Sequence, residues 1–292
     1  MRYKAFISML LSILLLAACQ NSSDGTGGFL WEVEEGDTNV YLQGTIHLGE
    51  EDFYPLQSNT EEAYEEADVV LPEINTNDID TDDMQSHVMD LATYDGTMTL
   101  EDHLPADLYA EVEGTLESLG FEAEMFDNFQ PWYIEMLLLQ LAIEQTDYDA
   151  QHSVDQYFLD RAEEDGKEIV ELESYEDQME MLAGFSDDTQ IELLEAAVSE
   201  WENMDAELEH LVSIWRDGDV DAMAEPTDDY PDEYMKELND VRNFDMAEQI
   251  EDILENDSGQ TYFVFVGTLH MTEEPSIVSI LEDEGLDVNY VD

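Results

Sequence analysis

The tetrapeptide Gly-Thr-[Ile/Leu]-His occurs twice, once near each end of the chain, and each copy closes a hydrophobic strand-like run. Gly44-Thr45-Ile46-His47 follows Asn39 to Gln43, and Gly267-Thr268-Leu269-His270 follows Thr261 to Val266. Six histidines and 15 glycines would give roughly 0.3 such Gly-x-x-His matches by chance. Two near-identical copies at strand ends therefore read as two halves of one site, each imidazole delivered by the same local geometry. In open parallel sheets ligands collect at the carboxyl ends of strands, so the sheet itself can bring the two histidines together.

The segments between the copies fit such a sheet. Phe29 to Val33 and Asn39 to Ile46 read as strands around the turn Glu35-Gly36-Asp37, and Ser58 to Ala67 as a helix capped by Ser58 or Asn59. A strand from Ala67 ends at Glu73, completing a strand–helix–strand unit that signals parallel pairing. The middle is predicted mostly helical: 78–93, 105–119, 131–145, 153–164 with Ser153 as N-cap and Gly166 past the end, 174–183, 188–215 and 232–255. Lys167 to Glu173 is a short strand, and 217–232, rich in Asp, Gly and Pro, a loop or hinge. Thr261 to Val266 is almost wholly apolar and should be a central strand buried on both faces. A helix over 277–284 and an edge strand over 286–291 follow. The expected class is α/β, with a mostly parallel central sheet and a large helical middle region.

His47, Glu73, Glu173 and His270 all fall at or just past strand ends. Two imidazoles and a carboxylate form a divalent-metal set with positions left for water and substrate. Such a metal lowers the pKa of its bound water and polarises a carbonyl, as amide or ester hydrolysis requires. With no sulfur ligand in the set, Mn, Co and Zn are all admissible. Gly44 and Gly267, three residues before each histidine, permit close backbone approach beneath the site. Arg242 stands out because only 7 residues are basic; it could hold an anionic substrate group or stabilise an oxyanion, with Asn243 as a second donor. His87, His103, His152 and His210 lie in acidic helical or loop segments and read as structural. No phosphate-cradling loop, Gly-x-Ser-x-Gly elbow or His-Glu-x-x-His helix is present.

Residues 1–18 have the basic start and short apolar run of a secretory signal, ending in Leu16-Ala17-Ala18-Cys19. That ending resembles a bacterial lipoprotein box, and Cys19, the single cysteine, reads as a lipidation point. Residues 19–28 would then be the lipidated cysteine and a polar tether, and 29–292 the folded domain. Removing 1–18 leaves five basic residues against 76 acidic ones. That surface repels nucleic acid and anionic lipid, which leaves the Cys19 anchor as the expected membrane contact. With 43% hydrophobic residues the chain is nevertheless a folded one, suited to a saline or alkaline exterior.

Several blocks resemble the TraB/GumN family, which includes the TIKI proteins. They are Phe29-Leu-Trp-Glu-Val33, Val40 to Gly49, Asp52 to Leu56, Glu66 to Glu73, Val154-Asp-Gln-Tyr-Phe-Leu159, Gly166-Lys167, Leu172-Glu173, Arg242-Asn243, and Tyr262 to His270 with Gly285. Where the family has Glu-Arg-Asn, this chain has Val241-Arg242-Asn243. The resemblance implies an α/β fold distantly similar to erythromycin esterases, and a metal-dependent peptidase activity. It also implies His47, His270 and Glu73 as metal residues, Arg242 and Asn243 in support. The expected function is metal-dependent hydrolysis of a peptide or small molecule, with Glu73 as ligand or general base. Two alternatives stay open: a non-catalytic surface protein that binds a peptide or signalling ligand in the same cleft, and metal-free ester hydrolysis by His47 and Glu73.

Overall fold

The computed structural model describes residues 25–224, 230–256 and 258–291. Cys19 and the expected signal segment lie outside the described residues. Six strands, β1 (Leu30–Glu35), β2 (Thr38–Thr45), β3 (Val69–Pro72), β4 (Glu168–Ile169), β5 (Thr261–Gly267) and β6 (Val288–Tyr290), form one sheet in the order β4-β3-β5-β2-β1-β6. The β2–β5, β5–β3 and β3–β4 pairs are parallel, and β1 runs antiparallel to both β2 and β6. The fold is α/β and the sheet is parallel where the histidine motifs lie.

β5 is central for the reason its composition gives. Phe263, Val264, Phe265 and Val266 are all fully buried, so both faces of the strand need cover, which only an interior position supplies. That requirement corrects the expected pairing of β2 with β3: the two are parallel, but β5 has inserted between them. The helix Val154–Asp165 packs Phe158 against Phe263 and Phe265, with ring centroids 4.8 and 5.5 Å apart. Its start and stop are those predicted, Ser153 accepting from the Gln156 N–H and Gly166 closing the helix at φ 69°.

The helical middle has a core of its own around Leu104, Leu108, Val112, Ile134, Leu138, Leu194 and Val198. This explains a second departure from expectation. The single helix predicted over 188–215 is two, Asp187–Ser199 and Met204–Asp217, with a 3-10 turn Trp201–Asn203 between them. The first packs Leu194 and Val198 into the middle core, whereas Leu208, Val212 and Trp215 of the second belong to the sheet core. No straight helix serves both, so the chain turns at the boundary. The expected tether also ends early. Gly27 and Gly28 are buried, Gly27 donates its N–H to the Arg216 carbonyl at 3.2 Å, and Thr26 accepts from Gln57 N–H at 3.1 Å.

Within the middle, burial lifts the Glu135 carboxyl to about 7 from its ordinary 4.5. The folded state therefore keeps a proton that the unfolded chain releases, and stability falls as pH rises from 4.5 to 7. Glu135→Gln removes that fall. It should be more stable than wild type by about 1–3 kcal/mol at pH 8 and indistinguishable near pH 4, as denaturant midpoints measured against pH in molar salt will show.

Candidate metal centre

β2 and β5 run side by side in parallel, with Thr45 opposite Gly267. The Thr268 N–H and hydroxyl both donate to the Thr45 carbonyl, at 2.9 and 2.8 Å. These bonds bring the two tetrapeptides together but end β5 with a turn. Thr268 adopts φ −55°, ψ −30° and opens the helical turn Leu269–Thr272, whereas the first copy stays extended through Thr45. The same motif thus takes two conformations, which corrects the expectation of one shared geometry. One consequence is unequal exposure: the His47 side chain is 64% accessible, the His270 side chain 8%.

Glu73 lies between the two rings, with its side chain 6% accessible. It leaves β3 with its N–H on the Phe265 carbonyl at 3.0 Å. Its Oε2 accepts the Gly267 N–H at 2.9 Å and faces His47 Nε2 at 3.9 Å. Its Oε1 accepts from Arg242 Nη2 at 2.5 Å and Gln178 Nε2 at 3.3 Å, and faces His270 Nε2 at 3.9 Å. Burial opposes ionisation of this carboxyl. The imidazoles, the Arg242 guanidinium and the Gly267 N–H outweigh it and hold the group well below the ordinary carboxylate range. Of these, Arg242 carries a permanent charge, whereas burial pushes His270 down to about 4 and leaves it neutral at pH 7.

Each ring is aimed from behind. His47 Nδ1 lies 3.0 Å from Asp155 Oδ2, and Asp155 Oδ1 accepts from the Thr45 hydroxyl at 2.7 Å. His270 Nδ1 lies 2.6 Å from Asn243 Oδ1. The Asn243 amide nitrogen donates to Pro275 O at 2.7 Å and to Asn239 Oδ1 at 3.1 Å, so its oxygen must face the ring. His270 therefore carries its proton on Nδ1 and turns the Nε2 lone pair toward Glu73. The Asp155 carboxylate beside His47 raises that ring to about 9. A cation at His47 Nε2 must displace a proton there.

Arg242 and Asn243 occupy different positions from those their donor chemistry suggested. Arg242 Nε reaches both Glu173 oxygens at 2.9 and 3.0 Å, and Nη1 donates to Leu238 O at 2.9 Å. The arginine is a strut behind Glu73, and Asn243, fully buried, holds His270. Both follow a π-helical segment, Lys236–Val241, within the otherwise α-helical run from Asp232 to Glu255. Such insertions recur at functional sites because they rotate the residues that follow. Glu173 arrives because the chain continues beside β3 past the two-residue β4. The Val170, Leu172 and Glu173 N–H groups donate to the Val70, Pro72 and Glu73 carbonyls, each at 3.0 Å. A cavity of about 600 Å³, lined in part by Glu173, Gln178 and Arg242, adjoins the strut. Gly267 forms the floor: a Cβ there would lie 3.2 Å from His47 Nε2 and 3.6 Å from both Glu73 Oε2 and His270 Cδ2.

Two imidazole nitrogens with fixed Nδ1 partners and an ionised carboxylate are donor types that a divalent cation takes, once His47 gives up its Nε2 proton and the cation shares Glu73 with Arg242 and the Gly267 N–H. The sequence reading missed Asp155, Asn239 and Gln178. Asp155 lay within the Val154–Leu159 block, but nothing marks it among 76 acidic residues.

Fold and site together define an α/β protein with a paired-histidine carboxylate centre at the edge of a parallel sheet. The sequence model of the TraB/PrgY/gumN family matches residues 29–290, and the chain belongs to that family. It is similar to the uncharacterized protein YbaP of Escherichia coli, 24% identical over 247 residues that cover 84% of this chain and 89% of the relative. It is also similar to the metalloprotease TIKI1 of Danio rerio, 24% identical over 90% of this chain and 63% of the relative. No solved structure matches the chain.

Proposed function

We propose that this chain is a metal-dependent hydrolase that cleaves peptides, exported and lipid-anchored through Cys19 to the outer face of a bacterial membrane. The observation that carries the catalytic part is the aiming of both Nε2 atoms at the Glu73 carboxylate, each 3.9 Å away, by partners on Nδ1. His47, His270 and Glu73 would hold the cation, of the Mn, Co or Zn class. When bound, it supplies a Lewis acid for the scissile carbonyl and activates water. Glu73 already accepts from Arg242, Gln178 and Gly267, which keeps it ionised and argues against a general-base role. The exposed ring of His47 marks the side from which substrate enters. The similarity to the metalloprotease TIKI1 adds weight to peptide hydrolysis. The acidic surface supports an exterior, saline setting and argues against nucleic-acid partners.

The test is tightly held metal, measured by elemental analysis after washes with competing ions in molar salt. The His47→Ala/His270→Ala protein should hold one ion fewer than wild type and have no peptidase turnover; equal metal in both would sink the reading. Asp155→Asn should keep the fold and weaken metal binding about 10–100-fold, measured by competition with a chelator. One observation favours the non-catalytic binder: Arg242 and Asn243 donate to protein acceptors instead of facing the cleft. A binder retains peptide with His47→Ala and shows no turnover in the wild type either.

A further inference from the structure

A second cluster of donors lies away from the centre just described. His87 belongs to the helix Thr81–Ala92, and Glu176 and Glu180 sit one turn apart on the helix Tyr175–Gly184. One ligand atom from each of the three lies within 4.8 Å of the others. His87 Nε2 is 3.7 Å from Glu180 Oε1, too far for a hydrogen bond, and this buried nitrogen has no hydrogen-bond partner. Among the described residues neither glutamate pairs with a lysine or arginine. The Glu180 side chain is 56% accessible and that of His87 30%, so the cluster opens to solvent and a cation can reach it, while the buried His87 Nε2 stays unsatisfied unless one does.

The presentation is rigid. The two helices pack through Val88, Ala92 and Met179, with Leu91 and Leu182 alongside, which fixes the approach of His87 to the glutamates. One nitrogen and two carboxylate donors select a zinc-class ion over magnesium or calcium, which take oxygen ligands. The location gives such an ion a consequence. Gln178, between the two glutamates on the same helix, donates to Glu73 Oε1 at 3.3 Å. We propose that His87, Glu176 and Glu180 form a second, structural site for a zinc-class divalent cation, which clamps the helix Tyr175–Gly184 and so holds Gln178 against Glu73.

The experiment uses the full chain carrying His47→Ala/His270→Ala, so that the first centre contributes no binding. Zinc is titrated by equilibrium dialysis in molar sodium chloride with excess magnesium, which occupies loose carboxylate sites. The expected result is about one retained equivalent, weakened about 10–100-fold by adding His87→Ala or, in a variant that keeps side-chain volume, Glu180→Gln. Zinc should also raise the unfolding midpoint of the background protein and leave that of the His87→Ala derivative unmoved. Zinc held with unchanged affinity in both derivatives, or held no better than magnesium in the background protein, overturns the proposal. Neither result bears on the His47–His270 centre, which is read from wild type against the background protein.

Discussion

Arg242→Ala is expected to destabilise the fold by about 3–5 kcal/mol, measured as a fall in the denaturant midpoint in molar salt. The guanidinium is the cation shared by Glu73 and Glu173. Its removal leaves two enclosed carboxylates without their shared guanidinium and frees the Leu238 carbonyl. Burial already raises the Glu173 carboxyl with Arg242 in place, so that group has little reserve. The sign against pH follows from Glu73. Its folded pKa lies well below the ordinary 4.5, so its contribution is complete above 4.5 and is lost as pH falls. The gap between wild type and variant should therefore be widest at neutral pH and narrow on acidification. Adding Glu73→Gln to Arg242→Ala should recover part of the loss. A loss below about 1 kcal/mol would class the arginine with ordinary surface ion pairs.

The two motif glycines should respond in opposite ways to the same methyl group. At Gly44 a Cβ would lie 2.9 Å from the Phe29 Cβ and the Thr268 Oγ1, and 3.1 Å from the Thr268 Cα. Those neighbours are backbone or the stems of fixed side chains. Gly44→Ala should lose about 1–3 kcal/mol of stability by overpacking while the folded protein still binds metal. At Gly267 the methyl meets the tips of His47, Glu73 and His270 instead. Gly267→Ala should keep stability within about 1 kcal/mol. Its metal affinity and any turnover should fall about 100-fold, because the proposed ligands are pushed apart. Unfolding midpoints and metal titrations on both proteins check the contrast. Full metal binding by Gly267→Ala would place the cation elsewhere.

The convergence of His47, Glu73 and His270 was legible because strand run-off is a sequence property. An apolar run that ends in a polar residue puts that residue at the sheet edge wherever the strand lies. Strand order was less legible, since the β3 pattern suits a neighbour such as β2 or β5 equally; the double burial of β5 decided it. The groups behind the site were not legible. Asp155 follows a helix N-cap, as ordinary solvated acids do, and only the tertiary approach of Thr45 and His47 distinguishes it. Asn239 and Asn243 lie four residues apart, as on any helix face, and the π segment beside them leaves no mark on hydrophobic periodicity. Arg242 was noticed for its rarity, but rarity does not say which acids it meets.

The docked residues 25–28 decide what the cleft can reach under the lipid-anchored proposal. β1 is antiparallel to β2, with Leu30 opposite Gln43, so the chain enters the sheet at the edge where His47 and His270 lie. Six chain steps separate Cys19 from Gly25, the first docked glycine, a leash of at most about 22 Å when fully stretched. An anchored molecule would keep its cleft within a few nanometres of the bilayer. The peptides it meets would be those at the membrane surface, such as extracellular segments of embedded proteins or newly exported chains, before those dissolved in the bulk medium.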